Sequence, residues 1–226
     1  MGLGKIRAEF HCHSHYSKDS GNTLPELIAR ARDIGLQRLA ITDHNTIAGA
    51  LEAHHMVPEL IVVGEEILTE RGELLGYYLQ EEVPKSLSVE ETLGRLKAQG
   101  AFIVIPHPFD VRRHGWHTQE LLELLPEVDA LETINARCWQ WRKNAQAIAF
   151  ADAHAIPQIA GSDAHSLAEL NLVHVELPLF HDADSLRESV RSAEISGRLL
   201  SLKEHLYASA SIAFSKIKSL IMDGNT

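Results

Sequence analysis

His11 and His13 stand two residues apart at the end of a short apolar run that begins at Ile6. In an extended chain both imidazoles emerge on one face and can share a cation. Gly161-Ser162-Asp163-Ala164-His165 repeats the arrangement, with a carboxylate and an imidazole two apart after the run 157–160. Polar groups fall at the same place elsewhere. Asp43 and His44 follow the run 39–42, Glu65 and Glu66 lie within or just after 61–64, His107 follows 103–106, and Asn135 follows 131–134. Nearly every predicted strand therefore ends in a potential ligand. Imidazole mixed with carboxylate, without clustered cysteine, suits Zn, Mn or Fe. His11, His13, Asp19, His44, Glu66, His107, Asp163 and His165 are more side chains than one ion can use. Two or three divalent ions are implied, with a carboxylate such as Glu66 bridging a pair about 3.5 to 4 Å apart.

The elements that must position these groups alternate along the chain. Apolar runs at 6–10, 39–42, 60–67, 74–79, 102–105, 130–134, 158–160 and 173–177 predict strands. Amphipathic stretches at 24–34, 47–54, 89–99, 119–125, 139–155 and 184–196 predict helices. Gly35, Gly100 and Gly197 fit the left-handed position that ends a helix, and Ser88 with Glu91 reads as a capping box. Repeated units of this kind close into a barrel or form an open, doubly wound α/β sheet. Either architecture brings the carboxyl ends of parallel strands to one face, so residues remote in sequence converge on one pocket. The stretch 203–222 places Leu206, Ala210, Ala213, Phe214, Ile217 and Ile221 at helical spacing and predicts a C-terminal amphipathic helix packed on the body. No low-complexity segment or flexible linker interrupts the chain, which reads as one domain over 1–226.

Composition narrows the function. At 226 residues and 45% hydrophobic content the chain suffices for one large α/β core, and its formal charge of −10 disfavours extended nucleic acid as a partner. Cys12 and Cys138 are too few for a disulfide framework. Cys12 alternates with its flanking histidines and should point into packing. No apolar run approaches the roughly 20 residues of a membrane span, and the first residues lack a signal-peptide core. The expectation is a cytoplasmic protein with no membrane partner. No phosphate-binding loop or serine-nucleophile elbow is present.

The ordered set His11-x-His13 with Asp19, Thr42-Asp43-His44-Asn45, Gly64-x-Glu66, His107-Pro108 and Gly161-Ser162-Asp163-Ala164-His165 resembles the PHP (polymerase and histidinol phosphatase) family over almost the whole chain. The resemblance implies a distorted seven-stranded (β/α) barrel of the TIM-like kind, holding a multinuclear metal centre that hydrolyses phosphate esters. It implies His11, His13, Glu66 and Asp163 around one ion, Glu66 and His107 around a second, and Asp19, His44 and His165 around a third. Many members carry a histidine after the Gly-x-Glu strand, where this chain has Glu73. A carboxylate there adds negative charge and favours a harder ion such as Mn or Mg over Zn.

Asn135 and Arg137 resemble the Asn-Ala-Arg stretch of related small proteins and are candidate substrate contacts. The Arg137 guanidinium would clamp a phosphate, or else form a surface ion pair. Arg112, Arg113, His114 and His117 lie in the loop after His107 without an assigned role. The implied activity is hydrolysis of a small phosphomonoester or nucleotide-like phosphodiester by a metal-bound hydroxide, with no separate nucleophilic side chain. Two alternatives stay open. One is a nuclease or polymerase-associated proofreading module, which would want a basic track; the other is a non-catalytic metal-binding module.

Overall fold

Short runs rich in Val, Ile, Leu and Phe, apolar on both faces, form strands that must be covered on both sides. The computed structural model describes residues 4–201, 203 and 204. Its elements in order are β1 (Ile6–Cys12), α1 (Leu24–Asp33), β2 (Arg38–Ile41), α2 (Ala48–Met56), β3 (Ile61–Leu68), β4 (Glu73–Tyr77), α3 (Val89–Ala98), β5 (Phe102–Ile105), α4 (Thr118–Leu124), β6 (Ala130–Asn135), α5 (Trp141–His154), β7 (Gln158–Gly161), β8 (Val173–Leu177), α6 (Ala183–Ser189) and β9 (Glu194–Gly197).

All nine strands join one sheet in the order β7-β6-β5-β4-β3-β2-β1-β8-β9. β1, β2 and β3 run parallel, as do β5, β6 and β7, while β4 sits antiparallel between the two groups and β8 and β9 run antiparallel beyond β1. The sheet curls until its β7 end meets β1. Cys12 bridges Ala164, and the His13 N–H donates to the Ala164 carbonyl at 2.9 Å. The approach is close enough that a Cβ on Gly161 would lie 2.3 Å from the His11 Cβ, so only glycine fits there. The result is a nearly closed, barrel-like mixed sheet.

One face of the strands gathers Phe10, Ala40, Val62, Tyr77 and Phe102 into one core cluster. The other packs Leu39, Ile41, Val63 and Ile105 against the helices. The Tyr77 hydroxyl donates to the Phe10 carbonyl at 2.8 Å, which satisfies the one polar atom of that residue in the apolar floor. A register shift between Glu9 and Cys12 bends β1. It turns Cys12 outward into the helix-facing core, where its thiol lies 3.3 Å from the Ala40 carbonyl.

The structure departs from the sequence reading in two places. The sheet has nine strands rather than seven. The predicted helix 184–196 ends at Ser189; a 3-10 turn at Val190–Ser192 follows, and β9 then pairs antiparallel with β8. Free backbone groups along β8 offer hydrogen bonds that outweigh local helix propensity. Gly197 accordingly lies within β9, at φ 138°, rather than capping a helix, whereas Gly35 and Gly100 do adopt the left-handed conformation. Ser88 caps α3 by accepting from the Glu91 N–H at 3.1 Å. The predicted helix 203–222 lies outside the described residues, Lys203 and Glu204 excepted. Among the described residues no helix is long and apolar enough to cross a membrane.

Candidate metal centre

The carboxyl ends of β1, β2, β3, β5 and β7 meet at one rim, and antiparallel β4 begins there. That places Glu73, its first residue, beside groups that end the neighbouring strands. The innermost cluster joins β1, β3 and the turn after β7. His11 Nε2 lies 3.4 Å from Glu66 Oε2 and 3.8 Å from Asp163 Oδ1, and His13 Nε2 lies 3.4 Å from both. Ligands about 2.1 Å from a tetrahedral ion sit about 3.4 Å from one another, and the imidazole-to-carboxylate distances here are close to that spacing. His11 Nε2, His13 Nε2 and Glu66 Oε2 are buried with no hydrogen-bond partner. Buried polar atoms are rarely left so, and a shared cation would satisfy all three at once.

Each of these groups is aimed from behind. His11 Nδ1 donates to Glu132 Oε1 at 2.9 Å, which turns the lone pair of Nε2 toward the cluster. His165 Nδ1 donates to the Asp163 carbonyl at 2.9 Å with the same result, and His13 Nδ1 lies 3.2 Å from the Ser17 hydroxyl. Asp163 turns Oδ1 inward, while its Oδ2 accepts from Asn135 Nδ2 at 3.2 Å and from Arg113.

Two further groupings adjoin the first. His107 Nε2 lies 3.2 Å from Glu66 Oε1 and 3.6 Å from Glu73 Oε2. Asp19 reaches His44 Nε2 at 3.6 Å through one oxygen and His165 Nε2 at 3.5 Å through the other. His44 also turns Nδ1 to Glu66 Oε2 at 2.9 Å, so it stands between the two groupings. Glu66 thus touches all the neighbouring imidazoles except His165 and is placed as a bridge. The nine residues singled out as ligands, Glu73 included, come together around one space. Three of their triads each offer ligand atoms mutually close enough for one ion.

The electrostatics record a concentration of charge. Burial and the neighbouring His165 and His44 hold the His13 ring well below the usual imidazole pKa, in the neutral form that coordinates. His11 is depressed by burial, but Glu132, Asp163 and Glu66 outweigh that and raise it. Glu73 is pushed up to about 9, first by burial and then by the Glu66 carboxylate. Backbone strain falls here too. His107 (φ 29°) and Asp163 (φ 52°) adopt positive φ, which few non-glycine residues do and which strained residues at working sites commonly show.

Several supporting residues have roles that the sequence reading does not assign. Glu132 interrupts an otherwise apolar strand and is 1% exposed; besides holding His11 it accepts from the His107 N–H at 2.9 Å. Glu9, equally buried, accepts from the N–H groups of His11 (3.1 Å), Ser162 (2.8 Å) and Asn171 (3.3 Å), pinning β1 to the turn after β7. Asp43 accepts from Ser14 and Ser17 and fixes the loop that follows His13. A carboxylate inside an apolar strand was the available signal, because a buried charge requires partners.

Asn135 sits behind Asp163 rather than on the cavity wall. It is fully buried, and its carboxamide is committed to Glu132 (2.9 Å), Asp163, Arg113 (3.1 Å) and the Arg137 N–H (3.0 Å). Arg137, Arg112, Arg113 and His114 do line the cavity of about 200 Å3 over the centre. Arg137 Nη1 lies 3.5 Å from Glu169. His117 lies outside that lining and caps α4.

Among known proteins, the PHP domain family matches residues 9–78 and the PHP-associated family matches residues 141–195. An uncharacterised protein of Methanocaldococcus jannaschii is 33% identical over 177 residues, covering 76% of this chain and 70% of its own. An error-prone DNA polymerase of Pseudomonas fluorescens is 28% identical over 178 residues, which span 70% of this chain but 17% of the polymerase. Similar solved folds are PsfC from Pseudomonas syringae (TM-score 0.69, 16% identity, covering 96% of this chain and all of PsfC) and a candidate metal-dependent phosphoesterase from Bifidobacterium adolescentis (0.60, 18%, 87% and 97%). A third is a lesion-specific endonuclease from Pyrococcus furiosus (0.59, 17%, 84% and 57%). At these identities the solved structures speak for the fold alone. The PHP domain match takes in His11, His13, Asp19, His44, Glu66 and Glu73 and the PHP-associated match takes in Asp163 and His165, and with the long archaeal alignment they show that the chain belongs to the PHP family.

Proposed function

We propose that this chain is a metal-dependent phosphoesterase acting on a small phosphomonoester or a nucleotide-like phosphodiester. The observation that carries the reading is the pair of buried atoms His11 Nε2 and His13 Nε2, which have no hydrogen-bond partner and lie 3.4 to 3.8 Å from the carboxylate oxygens of Glu66 and Asp163. In this reading His11, His13, Glu66 and Asp163 hold one divalent ion, His107 and Glu73 complete a second site with Glu66, and Asp19, His44 and His165 form a third. Divalent ions in such sites supply a coordinated water of lowered pKa, from about 15.7 toward 7, and neutralise charge on phosphoryl oxygens.

The protein's own groups do the rest. Glu132 and the Asp163 carbonyl orient imidazoles. Arg112 and Arg137, on the cavity wall, supply guanidinium donors matched to phosphoryl oxygens. His114 on the same wall is placed to pass a proton to a leaving oxygen. Arg113 is committed to Asp163, Asp110 and Asn135 and acts by fixing the Asp163 carboxylate.

Elemental analysis of the purified protein, with a screen of phosphomonoesters, cyclic nucleotides and short oligonucleotides under Mn supplementation, tests the reading. The expected result is two or three bound ions and turnover of at least one small ester. Bound metal with no hydrolysis across the panel would instead make the centre a structural or partner-binding module.

A further inference from the structure

Beside the metal cavity lies a second pocket of about 370 Å3, between the turn at Val111–Arg113 and the start of α5, within the size range of small-ligand sites. Arg112, Arg113 and Arg137 line both spaces, so the two adjoin. The second adds Arg142 and Lys143. Its single carboxylate, Asp110, is already engaged by Arg113.

The charge pattern is unlike that of the rest of the molecule. The chain carries 31 acidic residues against 21 Lys and Arg, and many of its cations elsewhere pair with carboxylates, as in Lys5–Glu194, Arg30–Asp33, Arg187–Asp129 and Arg198–Glu204. Among the described residues the side chains of Arg112, Arg142 and Lys143 have no hydrogen-bond or ion-pair partner. The first turn of α5 also carries no acidic residue. Instead it holds Arg142 and Lys143 at the positive end of the helix dipole, a locally unfavourable placement that a bound anion would reverse.

We infer that this pocket binds a second phosphate group of the substrate, one that is not hydrolysed, through Arg142 and Lys143, with Arg112 and Arg137 standing between it and the metal cavity. The inference rests on the phosphoesterase reading of the adjacent centre and names its substrate class: molecules bearing a further phosphate beyond the scissile one. Such a group occurs on a sugar bisphosphate or on the next unit of a short nucleotide strand. The exposed Trp139, which lines the same pocket, offers a surface on which a base or sugar can rest.

Calorimetric binding to the Mn-supplemented protein separates the cases, comparing fructose 6-phosphate with fructose 1,6-bisphosphate, and a nucleoside monophosphate with a 5′-phosphorylated dinucleotide. The doubly phosphorylated member of at least one pair should bind about tenfold more tightly. Which pair shows the gain identifies the source of the second phosphate. The double variant Arg142→Ala/Lys143→Ala, both outside the catalytic groups, should erase that gain, leave affinity for the monophosphates unchanged, and raise KM without changing kcat only for esters that carry the second phosphate. Equal affinities within both pairs, or a gain that survives the double variant, would overturn the inference. A gain that depends on Arg142 and Lys143 without hydrolysis of any ester would keep the subsite and remove the phosphoesterase reading. Hydrolysis without a gain would do the reverse.

Discussion

The inner cluster of His11, His13, Glu66 and Asp163 differs from the outer rim formed by Asp19, His44, His107, Glu73 and the 107–117 segment. Inner side chains are almost fully buried, and most have a second atom tied down: His11 by Glu132, His13 by Ser17, Asp163 by Asn135 and Arg113. At the rim, Asp19 and His44 are 29% and 32% exposed, and His107 Nδ1 has no partner. The first region is pre-organised by strands. The second depends on loops and on whatever binds there. An inner ion should therefore be held tightly and an outer one exchangeably.

Changes to the inner ligands should have the largest effects. Asp163→Asn removes a ligand charge with almost no change in volume, so the protein should stay folded while activity falls by more than about a hundredfold, since outer partners of ligands alone are worth about 10- to 100-fold. His11→Ala should abolish the inner ion and lower the Tm through lost linkage, about 2.7 kcal/mol for an ion at 100 times its Kd. Asp19→Asn, by contrast, should release one ion and leave the inner one in place. Metal stoichiometry with thermal melts checks all three, and loss of every ion from Asp19→Asn would erase the inner–outer distinction.

Glu132→Gln comes next. The carboxamide keeps the shape but weakens the charge-assisted bond to His11 Nδ1, so inner-ion affinity should fall about 10- to 100-fold. Competitive chelator titration reads this directly. An unchanged affinity would mean that the packing of β1 alone orients His11.

How much of this was legible in the sequence follows from the same division. The ligands were visible because each ends an apolar run, and a two-residue spacing survives translation into a strand. Glu132 and Glu9 were not assigned, since nothing local says which distant N–H groups will meet a buried carboxylate. Arg113 was seen only as a loop residue, because its partners Asp163 and Asn135 are 50 and 22 residues away. β9 was read as helix because its identity as a strand comes from the free edge of β8. Asn135, a candidate substrate contact from its position after a strand, lies behind the cavity wall, since a residue at a strand end faces the cavity or its support according to a bulge that sequence does not show. The register of β6 shifts between Glu132 and Ile134.

Glu73 sharpens the comparison with a smaller effect. Its Oε2 faces His107 at 3.6 Å, so Glu73→His should move the activating-metal preference from Mn toward Zn, imidazole being the softer ligand. Glu73→Ala should weaken only an outer ion. Metal-dependence curves check both, and variants with the original metal count, preference and rate would place Glu73 outside the coordination sphere.

The cysteines give the mildest probe of the two regions. Cys12 lies in β1, turned into the helix-facing core with 0% exposure, while Cys138 is 2% exposed against Arg113 and Asp110 of the outer segment. Burial pushes the Cys138 thiol up to about 12, and burial also raises Cys12, so neither presents thiolate at neutral pH. In the metal-loaded protein both should resist maleimide. After chelation the outer segment should open locally before the strands separate, so Cys138 should be modified first and Cys12 only with global unfolding. Mass spectrometry of a labelling time course follows the order. Simultaneous labelling would mean that the rim and the barrel wall open as one unit, and that the centre is a single cooperative structure rather than a rigid site with a looser one beside it.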